Sequence, residues 1–132
     1  LDTRRKVGGY KGYFVQYKNE CVYTTWISTM KLGPPAGLYH SNLPEGFAVL
    51  EDSWCVPDMR GKGMHKYMNQ FRLLALKEDG FEYVIAIVKS DNSPALKVQM
   101  DCGFKVVDSF FYGKFLGLFF STYKKNVTEY NL

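Results

Sequence analysis

The residues best suited to chemistry form the run Val56-Pro57-Asp58-Met59-Arg60-Gly61-Lys62-Gly63-Met64-His65. A proline closes an apolar strand pattern, a short glycine-containing turn follows, and helical periodicity begins at Gly63. Such a junction aims unsatisfied backbone N–H groups and the positive end of a helix at one point, which makes an anion site. Gly61 and Gly63 lack a Cβ, so a pyrophosphate can approach the backbone closely. The spacing is neither that of a Walker A loop nor the dinucleotide pattern G-x-G-x-x-G. By itself the run also fits a flexible strand-to-helix turn with Lys62 in solvent. His65 has two readings: an acid–base group, with an ordinary pKa of about 6.5, or a structural and phosphate-contacting residue. His40 reads as a solvated loop histidine. The cysteines Cys21, Cys55 and Cys102 are odd in number and widely spaced. That argues against a disulfide framework or a zinc site and for a reducing compartment, so a cytoplasmic protein with no metal is expected. Cys55 and Cys102 read as buried packing residues.

The elements that position this junction follow from pattern. Tyr13-Phe14-Val15-Gln16-Tyr17 and Cys21-Val22-Tyr23-Thr24-Thr25-Trp26-Ile27-Ser28 are rich in aromatic and β-branched residues and read as two strands of a hairpin across Lys18-Asn19-Glu20. Residues 31–45, with Gly33-Pro34-Pro35-Ala36-Gly37, read as a long loop. Residues 46–56 form a third strand, which Pro57 ends. Over 63–77 the period becomes helical, with Met64, Met68, Phe71 and Ala75 as the core stripe, widened by Tyr67 and Leu74. Tyr83-Val84-Ile85-Ala86-Ile87-Val88 is continuously apolar and is expected as a central strand covered on both faces. Asn92 or Ser93 caps a second helix with Pro94 in its first turn, running to about Asp101 and stopping at Gly103. Phe104-Lys105-Val106-Val107 is expected to begin another strand, and residues 109–123 to form two strands joined by a turn. The order β-β-β-α-β-α-β-β implies an α/β fold with a mixed, mostly antiparallel central sheet and flanking helices.

Composition narrows the function classes. The chain has 132 residues, 46% hydrophobic and 23% charged, which suits one globular domain over residues 1–132. No apolar stretch is long enough for a membrane span, and no signal peptide is visible, so no membrane partner is expected. Seventeen Lys and Arg against thirteen Asp and Glu give a net charge of +4. That mild excess suits a small anionic ligand better than a nucleic acid, and there is no long basic block. With 17% aromatic residues, a single-stranded nucleic-acid binder is a distant rival.

The junction in its context resembles the acetyl-coenzyme A loop of the GNAT (GCN5-related N-acetyltransferase) superfamily, Arg/Gln-x-x-Gly-x-Gly/Ala. Arg60 and Gly63 match the first two fixed positions, and His65 stands where a small residue is usual. A second family segment, Asn-x-x-Ala followed eight residues later by Gly-Phe, is met by Asn92, Ala95, Gly103 and Phe104. The resemblance covers about residues 10–123. It implies a GNAT-like fold whose usual N-terminal strand and helices are absent, supplied by a longer parent chain, a covering N-terminal region or a partner copy. It implies an acetyl-CoA-dependent N-acetyltransferase acting on the amine of a small molecule or sugar by direct attack on the thioester. The strands at 46–56 and 83–88 would run parallel and splay apart around the pantetheine arm. Trp54, Cys55 and Val56 would pair with that arm, Arg60, Gly61, Lys62, Gly63, Met64 and His65 would cradle the pyrophosphate, and Asn92 would touch the arm or line the cleft. The family often places a base on the strand before the loop, here Glu51 or Asp52. Strand alternation sends these two to opposite faces, with Glu51 slightly favoured. A family tyrosine seven residues past the asparagine is replaced by Gln99, so leaving-group protonation is lost or moved, with Tyr112 and Tyr123 as candidates. A non-catalytic acyl-CoA-binding or interaction module on the same fold is the alternative. The apolar segment 110–120 would be exposed if a missing region covers it, which implies self-association.

Overall fold

The computed structural model describes residues 3–6, 8–32, 41–115 and 118–125. They belong to two compact units, Leu1–Cys102 and Gly103–Leu132. In the first unit a 3-10 turn over Thr3–Lys6 precedes β1 (Tyr10–Tyr17) and β2 (Glu20–Ser28). The two strands form an antiparallel hairpin. Lys18 and Asn19 between them both take positive φ, 50° and 65°, the sense of turn whose twist matches the flanking strands. The expected loop over 31–45 carries a short ladder of its own, β3 (Lys31–Leu32) with β4 (Ser41–Asn42). Residues 33–40, His40 among them, lie outside the described residues.

β5 (Phe47–Cys55) pairs antiparallel with β2, and Pro57 starts a 3-10 turn immediately after it. α1 (Met64–Glu78), β6 (Tyr83–Ala86) and α2 (Ser93–Asp101) follow. The sheet order is β1-β2-β5-β6, antiparallel except for the parallel β5–β6 pair. Its two inner strands supply most of the core: Val22, Tyr23 and Ile27 from β2, and Ala48, Val49 and Leu50 from β5, closed by Met68 and Leu76 of α1. This is the mixed, mostly antiparallel α/β architecture that the element order implied. No described helix is long and apolar enough to cross a membrane.

Two expectations are corrected here. The buried face of α1 is Met68, Asn69, Arg72 and Leu76. Tyr67, Phe71 and Leu74 of the expected stripe are 65%, 44% and 57% exposed. The row at i, i+4 and i+8 runs through Arg72, which a count of apolar residues passes over; Phe71 meets the sheet at its rim, edge-on to Tyr13 of β1 with ring centroids 5.4 Å apart. β6 ends at Ala86 and is half-buried throughout, because it occupies the outer position of the four-stranded sheet. Among the described residues its one ladder is to β5, where Phe47 and Tyr83 are register partners and stack at 4.6 Å.

In the second unit, residues 104–107 belong to no strand, and Val106 and Val107 are 53% and 41% exposed. The ladder starts later, as the hairpin of β7 (Asp108–Phe115) and β8 (Leu118–Lys125), the two strands expected of this tail. The side chains of Tyr112, Tyr123 and the segment 110–120 lie outside the described ones.

Candidate functional site

β5 is paired on both sides at its start and on one side at its end. The ladder to β6 runs from Phe47–Tyr83 to Leu50–Ala86 and stops, while β5 continues against β2 as far as Cys55. Among the described residues no strand pairs with residues 53–55 on the side that β6 has left, which is the parting of parallel strands that the resemblance implied. The direction of each backbone group on that edge follows from the ladder. Val56 N–H donates to Val22 O at 3.0 Å, so it faces β2. Alternation in an antiparallel pair turns Trp54 the same way and leaves Ser53 and Cys55 facing the open edge. Of the three residues expected to pair with a ligand arm, Cys55 has its backbone on that edge, and Trp54 and Val56 do not. The Cys55 carbonyl already accepts from Arg60 Nε at 3.0 Å, which leaves its N–H to the edge.

Beyond β5 the chain turns through Pro57–Met59 into the glycine pair. Gly61 and Gly63 sit at φ 72° and 77°, left-handed values that cost an L side chain. A Cβ on either would meet nothing within 4 Å, so the space beside both glycines is open. Tyr67 N–H donates to Gly63 O, and among the described residues no N–H of residues 61–66 donates to a backbone carbonyl. These groups, at the N-terminus of a 15-residue helix, are what an anion needs. Gly61, Lys62, Gly63, Met64 and His65 are thus brought together through their N–H groups. The residues present fit a pyrophosphate: donors, open space where a Cβ on either glycine would stand, and the cations of Arg60 and Lys62 on exposed neighbours.

The side chain of His65 turns the other way. Its Nδ1 lies 2.6 Å from Tyr23 Oη. Burial, and then the charge of Arg72, hold its pKa below the ordinary value, and burial raises that of Tyr23. Asn92 caps α2, its Oδ1 accepting from Ala95 N–H at 3.3 Å. Gln99 is buried, with Oε1 lacking a partner among the described residues. Cys55 and Cys102 are half-buried, less enclosed than expected, and Cys21 is exposed. Burial pushes the Cys102 thiol up, away from nucleophilic use.

The two carboxylates contradict simple alternation. Trp26 pairs with Glu51 and Thr25 with Ser53, so Asp52 is an extra residue, a β-bulge, at φ 26°. Arg4 Nη1 reaches Glu51 Oε2 at 3.8 Å and Asp52 Oδ2 at 2.9 Å, with its guanidinium 4.6 Å from the Trp26 ring centroid. One cation meets both side chains because two successive residues of β5 oppose one of β2, which breaks the two-residue period. Arg72 fastens the bulge from below. Its Nη1 donates to Trp26 O at 2.9 Å and to Glu51 O at 3.3 Å. Its Nη2 reaches Ser53 Oγ at 3.5 Å and donates to Asn69 Oδ1. Sequence reasoning passed over Arg4, Tyr23 and Arg72. A signal existed for Arg72 alone, as a cation midway between Met68 and Leu76 on one helical face.

No protein-family model matches the chain, and no curated protein matches it in sequence. Solved structures do. The aminoglycoside N-acetyltransferase AAC(6′)-Iy, in complex with CoA, superposes with a TM-score of 0.63 at 14% identity, covering 83% of this chain and 78% of the other. A transcriptional regulator from Bacillus halodurans C-125 gives 0.65 at 16% identity, covering 84% and 69%. An aminoglycoside acetyltransferase from an uncultured soil metagenomic sample, in complex with sisomicin, gives 0.60 at 15% identity, covering 86% and 75%. Other matched structures are longer, and this chain spans 59% of the ribosomal-protein-S18-alanine N-acetyltransferase from Escherichia coli. At identities of 14 to 16% these likenesses establish architecture, and together with the parting of β5 from β6 they show that the chain has the fold of the GNAT superfamily.

Proposed function

We infer that this chain binds acetyl-CoA and transfers the acetyl group to the amine of a small molecule or sugar. The observation that carries the reading is the continuity of one surface: the open edge of β5 leads through Pro57–Met59 directly into the unbonded N–H groups of residues 61–66. An acyl donor with an amide-bearing arm and a pyrophosphate matches that sequence of groups. Edge donors of β5 would take the arm, and the glycine turn the phosphates. The amine nitrogen would attack the thioester carbonyl, forming C–N and breaking C–S, with the thiolate taking up a proton. The chain's part is to bring the reactants together, accept the ammonium proton and stabilise the oxyanion with a backbone donor. Glu51 is the better-placed acceptor of that proton, since the side chain of Asp52 is 75% exposed and that of Glu51 19%.

A second reading, a non-catalytic acyl-CoA-binding module, is favoured by the engagement of Glu51 and Asp52 with Arg4 and of His65 with Tyr23. Calorimetric titration with acetyl-CoA tests what both share. Thiol release from acetyl-CoA across a panel of amines separates them: acetylation of any amine supports transfer, and binding without release supports the module. Absence of binding defeats both.

A further inference from the structure

Arg72 is the largest fully buried side chain in the described protein, 1% exposed on the inner face of α1. Burial pulls its pKa down to about 10, so it is charged at neutral pH. Among the described residues it forms no ion pair, and its Nε has no hydrogen-bond partner. A buried cation without a counter-ion is costly and needs compensation from oriented dipoles. The compensation here is concentrated at one place. Its fork reaches the carbonyl of Trp26 opposite the bulge, the carbonyl of Glu51 before it and the hydroxyl of Ser53 after it. Thr25 Oγ1 closes the ring, 2.8 Å from Ser53 Oγ and donating to Glu51 O at 3.4 Å. Asn69 Oδ1 holds the guanidinium from α1 itself.

A bulge takes carbonyls out of the ladder, and buried carbonyls without donors are expensive. An apolar side chain at residue 72 would take Arg72's donors from the Trp26 and Glu51 carbonyls, leaving Glu51 O with the long hydrogen bond from Thr25 Oγ1. A lysine would offer one compact ammonium where Arg72 offers a planar fork to two strands. We propose that Arg72 is the positioning residue of the β5 edge: by clamping Trp26, Glu51 and Ser53 it holds Asp52 out of register and so sets which groups of residues 53–55 face the acyl donor's arm. The same clamp fixes the backbone from which Glu51 projects. The role rests on the acyl-CoA reading above, because it concerns how that ligand's arm is met. It does not concern the phosphates, which the backbone of residues 61–66 would hold without help from Arg72.

That separation gives the test. Arg72→Lys and the unsubstituted protein are titrated with acetyl-CoA and with 3′-phosphoadenosine 5′-diphosphate, which carries the pyrophosphate and no arm. Acetyl-CoA should bind Arg72→Lys about tenfold more weakly or worse, while the nucleotide changes by less than about twofold. The amide resonances of Ser53 and Cys55 should shift, with those of Gly61 and Gly63 in place. Equal losses for both ligands, or no loss for either, in a folded variant overturn the positioning role. If Arg72→Lys does not fold, Thr25→Val keeps the volume and removes the hydroxyl on Glu51 O and Ser53 Oγ. It should weaken acetyl-CoA by about threefold and leave the nucleotide unchanged, and equal effects again overturn the role. An unsubstituted protein that binds the nucleotide and not acetyl-CoA overturns the clamp's purpose. One that binds neither overturns the acyl-CoA reading itself, and the positioning role with it.

Discussion

The glycine turn at residues 60–66 and the bulge at Asp52 are neighbours on one surface and are built by opposite means. The turn is a backbone structure. Two positive φ values and a helix start produce it, and its side chains lead away: Arg60 back to the Cys55 carbonyl, Lys62 to Met59 Sδ, His65 to Tyr23. The bulge is a side-chain structure. Its φ of 26° at Asp52 is uncommon for a residue with a Cβ, and groups from β2, β5 and α1 meet around it. A backbone-built site is specified by the residues within it and is sensitive to their conformation. A side-chain-built one is specified from a distance and is sensitive to single deletions elsewhere.

The largest effect that this contrast implies is on stability. Arg72→Ala removes the guanidinium's hydrogen bonds to the Trp26 and Glu51 carbonyls and leaves a cavity, and should lower the unfolding free energy by about 3 kcal/mol or more, read by urea denaturation. A loss below about 1 kcal/mol would mean that the bulge carbonyls find other donors, and the two regions would then differ less than described.

Gly63→Val attacks the backbone-built region. Since the added Cβ meets no protein atom within 4 Å, its cost is conformational: a β-branched residue at φ 77°, about 1–2 kcal/mol. Its branches also enter the space beside the turn's N–H groups, so acetyl-CoA should bind at least about tenfold more weakly by calorimetry. Full affinity in the folded variant would take the turn out of the binding site.

His65 joins the two regions, with its N–H at the turn and its ring against Tyr23. Its folded pKa lies below the ordinary 6.5, chiefly through burial. Between those two values the unfolded chain binds more protons than the folded one, so stability falls as pH drops from 6.5 toward the folded value and is level above 6.5. A plot of Tm against pH should show this slope, and His65→Gln should flatten it. A variant that keeps the slope would move the acid sensitivity to another group.

The smallest effect concerns Lys62, an exposed cation beside the turn. Lys62→Ala should weaken acetyl-CoA by about threefold at low salt and by less as salt screens the charge. A loss as large as that for Gly63→Val would show that the anion site depends on a side chain as much as on backbone.

Much of the molecule was legible because its determinants are local. Aromatic and β-branched runs gave β1 and β2, Pro57 ended β5, the glycine pair marked the turn and the start of α1, and Asn92 with Pro94 marked α2. The two motifs that pointed to the GNAT fold are local in the same sense, each confined to one junction. What escaped is non-local. Strand alternation placed Glu51 and Asp52 on opposite faces, and a bulge, which depends on register against β2, brought both to Arg4. Periodicity put Phe71 in the core of α1, and packing put Arg72 there, because a guanidinium can be buried once a second strand offers it carbonyls. The sequence by itself determined where the backbone turns and which groups it leaves without partners, since those depend on φ preferences and ring constraints within a few residues. The tertiary structure alone decided which side chains bind those groups, since a hydrogen bond between α1, β2 and β5 exists only after the three have been packed together.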